Sequence, residues 1–188
     1  SAGNGSIMRL APVPIALHQE GHYEELVQRA VESSLPTHGA ETCEWACAAL
    51  AVVLAALMRG VSKEQALDPE GLALGPLTRG SWAGLADMPP EIRNVLEGSY
   101  RSNDETAIRG SGYVVESLEA ALWAFWHAHD ARTALLDAVN LGEDADTTGA
   151  VCGQLVGAHY GESAFAGDLL TDLIRRDMIE DALRGLGV

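Results

Sequence analysis

Positive charge is scarce in this chain. Lys and Arg together number 12 against 27 Asp and Glu, a formal charge of −15 at pH 7 over 188 residues. A surface that acidic repels phosphate backbones and anionic lipid, which argues against nucleic acid and membranes as partners. It suits cations. A phosphorylated ligand still fits where backbone N–H groups or a metal supply local positive potential. Cysteine is scarce too. Cys43, Cys47 and Cys152, an odd number at wide gaps, make no disulfide framework and point to a reducing, cytoplasmic setting. Cys43 and Cys47 lie four apart and share a helix face. No further ligand sits at suitable spacing, so they read as core cysteines rather than a zinc site. The longest apolar run, residues 45–58, is short for a bilayer crossing and reads as a buried helix. No signal-peptide pattern is visible. Strand-like alternation, internal repeats, a Ser/His/Asp triad pattern and a P-loop are also missing.

What is present is helical. Residues 22–35 carry Leu26, Val27, Ala30 and Val31 on one stripe, and Pro36 ends it. Residues 40–59 are apolar almost all round, the pattern of a central helix, closed by Gly60. Short helices are expected at 63–67 and 90–100. Between them, 68–88 is rich in Gly and Pro, and loops of that length are often functional. Residues 114–127, 131–139 and 148–160 continue the helical pattern. Residues 165–186 make one or two more, with Ile174, Met178 and Leu183 inward. The expected fold is all-α, helices packed on helices around one core.

The chemistry concentrates at residues 142–161. Asp144 and Asp146 are two apart, so a turning backbone can aim both carboxylates at one ion, and Thr147 adds a hydroxyl. Such hard oxygens suit magnesium, manganese or calcium. Carboxylates at a helix start are also favoured without metal, as caps for free N–H groups. Spacing leaves both readings open. An EF-hand is excluded: Asp144, Asp146, Thr148 and Gly149 fit its first, third, fifth and sixth positions, but the twelfth is Leu155. Behind the motif, Gly149, Gly153, Gly157 and Gly161 recur every four residues. Such a stripe implies close approach of another backbone or of a ligand.

Three further clusters stand out. Gly3, Asn4, Gly5 and Ser6, followed by Arg9, form a turn whose N–H groups can cradle a phosphate or ribose, or simply a turn with a structural arginine. Thr37, His38 and Gly39 sit at a helix entrance, where His38 is a ligand contact or a cap. Arg109, Gly110, Ser111, Gly112 and Tyr113 precede another helix. The glycines leave room for a ligand, and Tyr113 can stack on a base or pack as a hinge residue.

Taken in order, these clusters, with the run Glu119-Ala-Ala-Leu-Trp123 and the approach 138–147, closely resemble the ADP-ribosylglycohydrolase family, including the dinitrogenase-reductase-activating glycohydrolases. The resemblance covers essentially the whole chain. It implies a compact all-α fold, two magnesium or manganese ions, and hydrolysis of the bond joining ADP-ribose to an arginine or serine side chain. On that pattern Asp144, Asp146 and Thr147 are metal ligands. Asn4, Gly5 and Ser6 line the ribose and phosphate pocket, His38 contacts the ligand, and Gly112 and Tyr113 border the adenosine end. The implied partners are ADP-ribose and ADP-ribosylated protein.

One departure is plain. The family's other metal ligands lie in an N-terminal Thr-Asp-Asp-Thr motif and an earlier acidic residue. The nearest run here, Asn103-Asp-Glu-Thr106, differs in order and place. The chain also opens at Ser1 directly on a Gly/Asn/Ser segment. Both features lead us to expect the C-terminal portion of a family domain, incomplete at its N-terminus. The missing N-terminal part, a separate chain or a lost segment, would then complete it, and apolar surface would be exposed where that part packs. The remaining alternatives are a non-catalytic ADP-ribose binder and an all-α structural domain whose acidic motif caps a helix.

Overall fold

The computed structural model describes residues 2–79, 87–165, 168–171 and 173–186. Among these, thirteen α-helices and two 3₁₀ turns account for the regular structure. No strand is found among the described residues; the single bridge pairs Gly3 with Tyr113. The all-α expectation holds.

Helices α1 (Gly5–Met8) and α2 (Pro12–Leu17) lead into α3 (Tyr23–Ser34) and α4 (Glu41–Met58). Proline opens α2 at positions where a missing N–H costs nothing. Ser62 caps α5 (Lys63–Ala66) by accepting from the Gln65 amide. Next come α6 (Gly75–Arg79), α7 (Pro90–Leu96) and α8 (Ser99–Ser102). The sequence pattern suggested one helix over 90–100. The chain breaks instead at Gly98, whose φ of +105° a glycine adopts without a Cβ clash. The expected loop 68–88 contains α6, and 80–86 lie outside the described residues.

Helices α9 (Val114–His127), α10 (Ala131–Asn140) and α11 (Ala145–Tyr160) pack as a group, with α4 against both α9 and α11. Helix α4 buries fourteen residues, Cys43 and Cys47 among them, and lies also against α3. It is long and apolar enough to cross a membrane by length and composition, but 78% of it is buried inside this fold. It is the core helix that its all-round apolar pattern predicts. Lys63 closes α9 at its carboxyl end, its Nζ donating to the carbonyls of Phe125, Trp126 and Ala128.

The C-terminal region differs from expectation. Residues 165–186 give α12 (Asp168–Thr171) and α13 (Arg176–Gly185), and α13 has no buried residue. Ile174 is 85% exposed and Met178 56% exposed, so neither points inward. Leu183 is only half-buried. Amphipathic spacing requires a partner to become burial, and no described helix packs closely on α13.

Candidate functional site

The start of α11 follows an unusual turn. Gly142 (φ +75°) and Glu143 (φ +52°) are both in the left-handed region. Glycine accepts this freely, but for glutamate it costs about 1–2 kcal/mol. The turn delivers Asp144 to the N-cap position. A capping aspartate would accept from the helix's free N–H groups, yet the Asp144 side chain makes no such bond. Its Oδ2 accepts instead from the Asn4 Nδ2, at 2.7 Å. The pure capping reading therefore does not describe what this carboxylate does. The hydrogen bond from Asn4, with smaller contributions from Asp146 and Thr147, holds the Asp144 carboxyl below the usual carboxylate range against its partial desolvation.

Asn4 arrives there because three loops are stitched together through their backbones. Its N–H donates to the Gly112 carbonyl (3.1 Å), and the Val114 N–H donates to Ala2 (2.9 Å). The Asp144 N–H donates to Gly110 at 2.7 Å. Asn4 is buried, and its amide also reaches the Ser111 carbonyl at 3.3 Å. Glycines make this approach possible. A Cβ on Gly110 would stand 3.1 Å from Thr148 Oγ1 and 3.2 Å from the Gly142 carbonyl.

The sequence-expected residues thus fall into one constellation, with distinctions. Asp144 is half-buried, Asp146 is exposed, and Thr147 is buried with its hydroxyl 3.7 Å from Met8 Sδ. Gly5 does leave room, but for a protein side chain: a Cβ there would come within 2.9 Å of the His38 ring. That ring also lies against Gly3, and its Nδ1 is 2.7 Å from Thr37 Oγ1. His38 therefore belongs to the site's wall. The Ser6 side chain is buried, set against the thiols of Cys43 and Cys47. Any part Ser6 plays in a pocket falls to its backbone. Arg9 donates to the Ser33 carbonyl and to Thr37, a structural tie. Tyr113 is 38% exposed beside Gly112, its hydroxyl 3.4 Å from a Glu91 carboxylate oxygen.

The glycine stripe divides. A Cβ on Gly149 would stand 2.8 Å from Val139 Cγ1, so α10 approaches closely there. Gly153 has an ordinary neighbour at 3.8 Å, and Gly157 has open space. Gly161 is the C-cap, at φ +75°.

Sequence reasoning missed three things. The Gly3–Ser6 pattern marks Asn4 as a pocket residue but carries no sign that it donates to Asp144. Arg109 binds Glu143 through Nε and Nη2 and approaches Glu116 through Nη1, yet it carried no distinct signal. Glu91 lies too far along the chain for any motif to link it to Tyr113.

The oxygens of Asp144, Asp146 and Thr147 are hard donors, fit for a magnesium- or manganese-like cation. They do not close a site alone. Among the described residues no group of three or more His, Cys, Asp or Glu side chains converges. A cleft of about 490 Å³ between α2, α3, α4 and the 65–73 segment shares no residue with the constellation.

Comparisons with known proteins agree on one family. The chain matches the family model described as ADP-ribosylglycohydrolase over residues 1–187. It is 39% identical over 163 residues to the ADP-ribosylarginine hydrolase Tri1 of Pseudomonas putida strain GB-1, covering 87% of this chain and 40% of the relative. To Tri1 of Serratia proteamaculans strain 568 it is 32% identical over 181 residues, covering 96% and 45%. To the ADP-ribosyl-(dinitrogen reductase) glycohydrolase of Rhodospirillum rubrum it is 30% identical over 162 residues, covering 85% and 47%. A solved chain of an ADP-ribosylglycohydrolase-related protein complex superposes with a TM-score of 0.83 at 40% identity, over 98% of this chain and 59% of that one. The chain spans less than half the length of these curated relatives. With its fold, its ordered motifs and these likenesses taken together, the chain belongs to the ADP-ribosylglycohydrolase family.

Proposed function

We propose that this chain carries part of the active site of a metal-dependent hydrolase that removes ADP-ribose from modified protein side chains. Relatives named for hydrolysis of ADP-ribosylarginine and of ADP-ribosyl-(dinitrogen reductase) favour a protein substrate and an arginine linkage; a serine linkage is the alternative that the family resemblance leaves open. The observation that carries the proposal is the 2.7 Å bond from Asn4 to Asp144. It joins the Gly3–Gly5 turn, suited to a ribose or phosphate, to the acidic start of α11. The two functions expected of such a site, gripping the ligand and holding cations, then share one wall.

Asp144, Asp146 and Thr147 would contribute the metal donors from this chain, for one or both of two magnesium or manganese ions. Asp144 suits that role because the Asn4 hydrogen bond further favours its ionised form. When bound, such ions supply electrostatic stabilisation of ribose hydroxyls and a more acidic water. The chain's own residues would do the remaining work. Asn4 and the backbone of Gly5 and Ser6 hold ribose or phosphate. His38 walls the pocket, and Gly112 with Tyr113 borders the adenosine end. The bond from the ribose anomeric carbon to the side chain breaks as water adds, through an oxocarbenium-like state that carboxylates stabilise. The products are ADP-ribose and the unmodified side chain. The remaining ligands would come from polypeptide that the longer relatives possess, and the chain would then be the C-terminal portion of one domain in a cytoplasmic protein.

The test uses the full-length protein, with manganese and an ADP-ribosylated arginine substrate. Release of ADP-ribose is expected, and Asp146→Ala should remove it together with manganese affinity. Calorimetric ADP-ribose binding without any release would replace the proposal with a non-catalytic binder. Unchanged manganese affinity in Asp146→Ala would reject the metal role.

A further inference from the structure

Glu143 sits in the left-handed region immediately before Asp144, at φ +52°. A glycine would adopt that conformation without cost, so the glutamate needs a compensating contact. It has one. Arg109 Nε donates to Oε1 at 3.1 Å and Nη2 donates to Oε2 at 2.9 Å, a two-pronged grip matching the planar guanidinium to the carboxylate. The third nitrogen of the same guanidinium is 3.4 Å from Glu116 on α9, which anchors it from the far side. The next residue, Gly110, accepts the Asp144 N–H at 2.7 Å. Segment 109–110 thus holds the turn twice, by side chain at 143 and by backbone at 144.

We propose that Arg109 is a positioning residue: its paired hydrogen bonds to Glu143 lock the left-handed turn that aims the Asp144 carboxylate at Asn4. The proposal rests on the functional reading above for its importance to metal binding, but not for its structural content. Charge and grip make opposite predictions here. If Arg109 acted only through its charge, removing it from an acidic metal site would tighten cation binding. If it positions Asp144, removing it weakens cation binding.

The experiment compares Arg109→Ala, Arg109→Lys, Glu143→Gln and the charge swap R109E/E143R with the parent protein. Two readouts are used: hydrogen exchange of the Asp144 amide without metal, and manganese affinity by titration with manganese alone. Loss of the paired contact should speed Asp144 exchange about two- to fivefold, the range of one exposed ion pair acting on local opening. Amides of α4 should be unaffected. Arg109→Lys keeps the charge but not the fork, so it should fall with Arg109→Ala, and the swap, which sets a carboxylate at 109 beside Glu116, should recover only part of the protection. Manganese affinity should drop in the first three variants. Unchanged Asp144 exchange in both Arg109→Ala and Glu143→Gln overturns the proposal. So does tighter manganese binding in Arg109→Ala, or parent-like behaviour of Arg109→Lys. If the parent protein binds no manganese, the metal reading fails, and the exchange data still decide the role of Arg109.

Discussion

Helices α4 and α11 pack against each other, and each begins with a pair of carboxylates: Glu41 and Glu44 on one, Asp144 and Asp146 on the other. The positive end of a helix favours both pairs equally. They nevertheless diverge. Burial, then the neighbouring Glu41 charge, pushes the Glu44 carboxyl up. The hydrogen bond from Asn4 pulls the Asp144 carboxyl down. The difference lies in what other segments bring. A backbone-stitched loop delivers an amide donor to α11, and the start of α4 receives none from its neighbours that alters the sign. The donor supplied by a third element biases the acidic start of α11 toward its charged form, a bias that the start of α4 lacks. The bodies of the two helices differ accordingly: α4 is buried on nearly all sides and carries the core, whereas α11 buries a stripe.

The sharpest break of that comparison is in the core. Trp45, on α4, is 1% exposed. Trp45→Ala should cost about 3–5 kcal/mol in urea unfolding, as large-to-small substitutions of buried aromatics do. No surface residue of α11 should approach that figure. A loss under about 1 kcal/mol would remove α4 from its place as scaffold.

Next in size is the donor itself. Asn4→Ala should lower stability by about 1 kcal/mol at neutral pH, the net worth of one hydrogen bond. The sign with pH follows from linkage. A carboxyl held low in the folded state contributes stability that is present above the ordinary carboxylate range and lost as pH falls through its folded value. The gap between parent and Asn4→Ala should therefore close in acid. Glu44→Gln should behave oppositely. A carboxyl held high contributes stability only while protonated, so its replacement should gain on the parent as pH rises out of the acid range. Parallel pH profiles for the two variants would erase the distinction between the two helix starts. Urea unfolding at several pH values reads both.

Much of the fold was legible because helices announce themselves by spacing. Residues 114–127 form α9 with the expected limits, and the all-round apolar 40–59 became the buried α4. Breaks set by one residue's backbone were harder: Gly98 splits 90–102 into α7 and α8. Amphipathic pattern alone overstated the C-terminal region, where Ile174 and Met178 face solvent. In the site, residue types gave the clusters but not their connections. Asn4 and Asp144 are 140 positions apart, and Arg109 and Glu143 are 34 apart. No local pattern encodes a pairing set by how loops cross in three dimensions.

The smallest effect tests the glycine stripe along α11, where sequence treated equivalent spacing as equivalent crowding. An alanine at 149 would set its Cβ 2.8 Å from Val139 Cγ1. Valine is stiff at χ1 in a helix, so α10 itself must give way. Overpacking of that kind costs about 1–3 kcal/mol, and helix propensity returns about 1. Gly149→Ala should therefore come out destabilising by about 1 kcal/mol. At 157 nothing lies within 4 Å. Only the backbone term remains, and Gly157→Ala should stabilise by about 0.8 kcal/mol. Opposite signs in thermal unfolding would locate the close approach at the amino end of α11, beside Asp144, where a rigid helix start matters. Equal signs would mean that the stripe packs uniformly, and the ordering of the site would have to come from the loops alone.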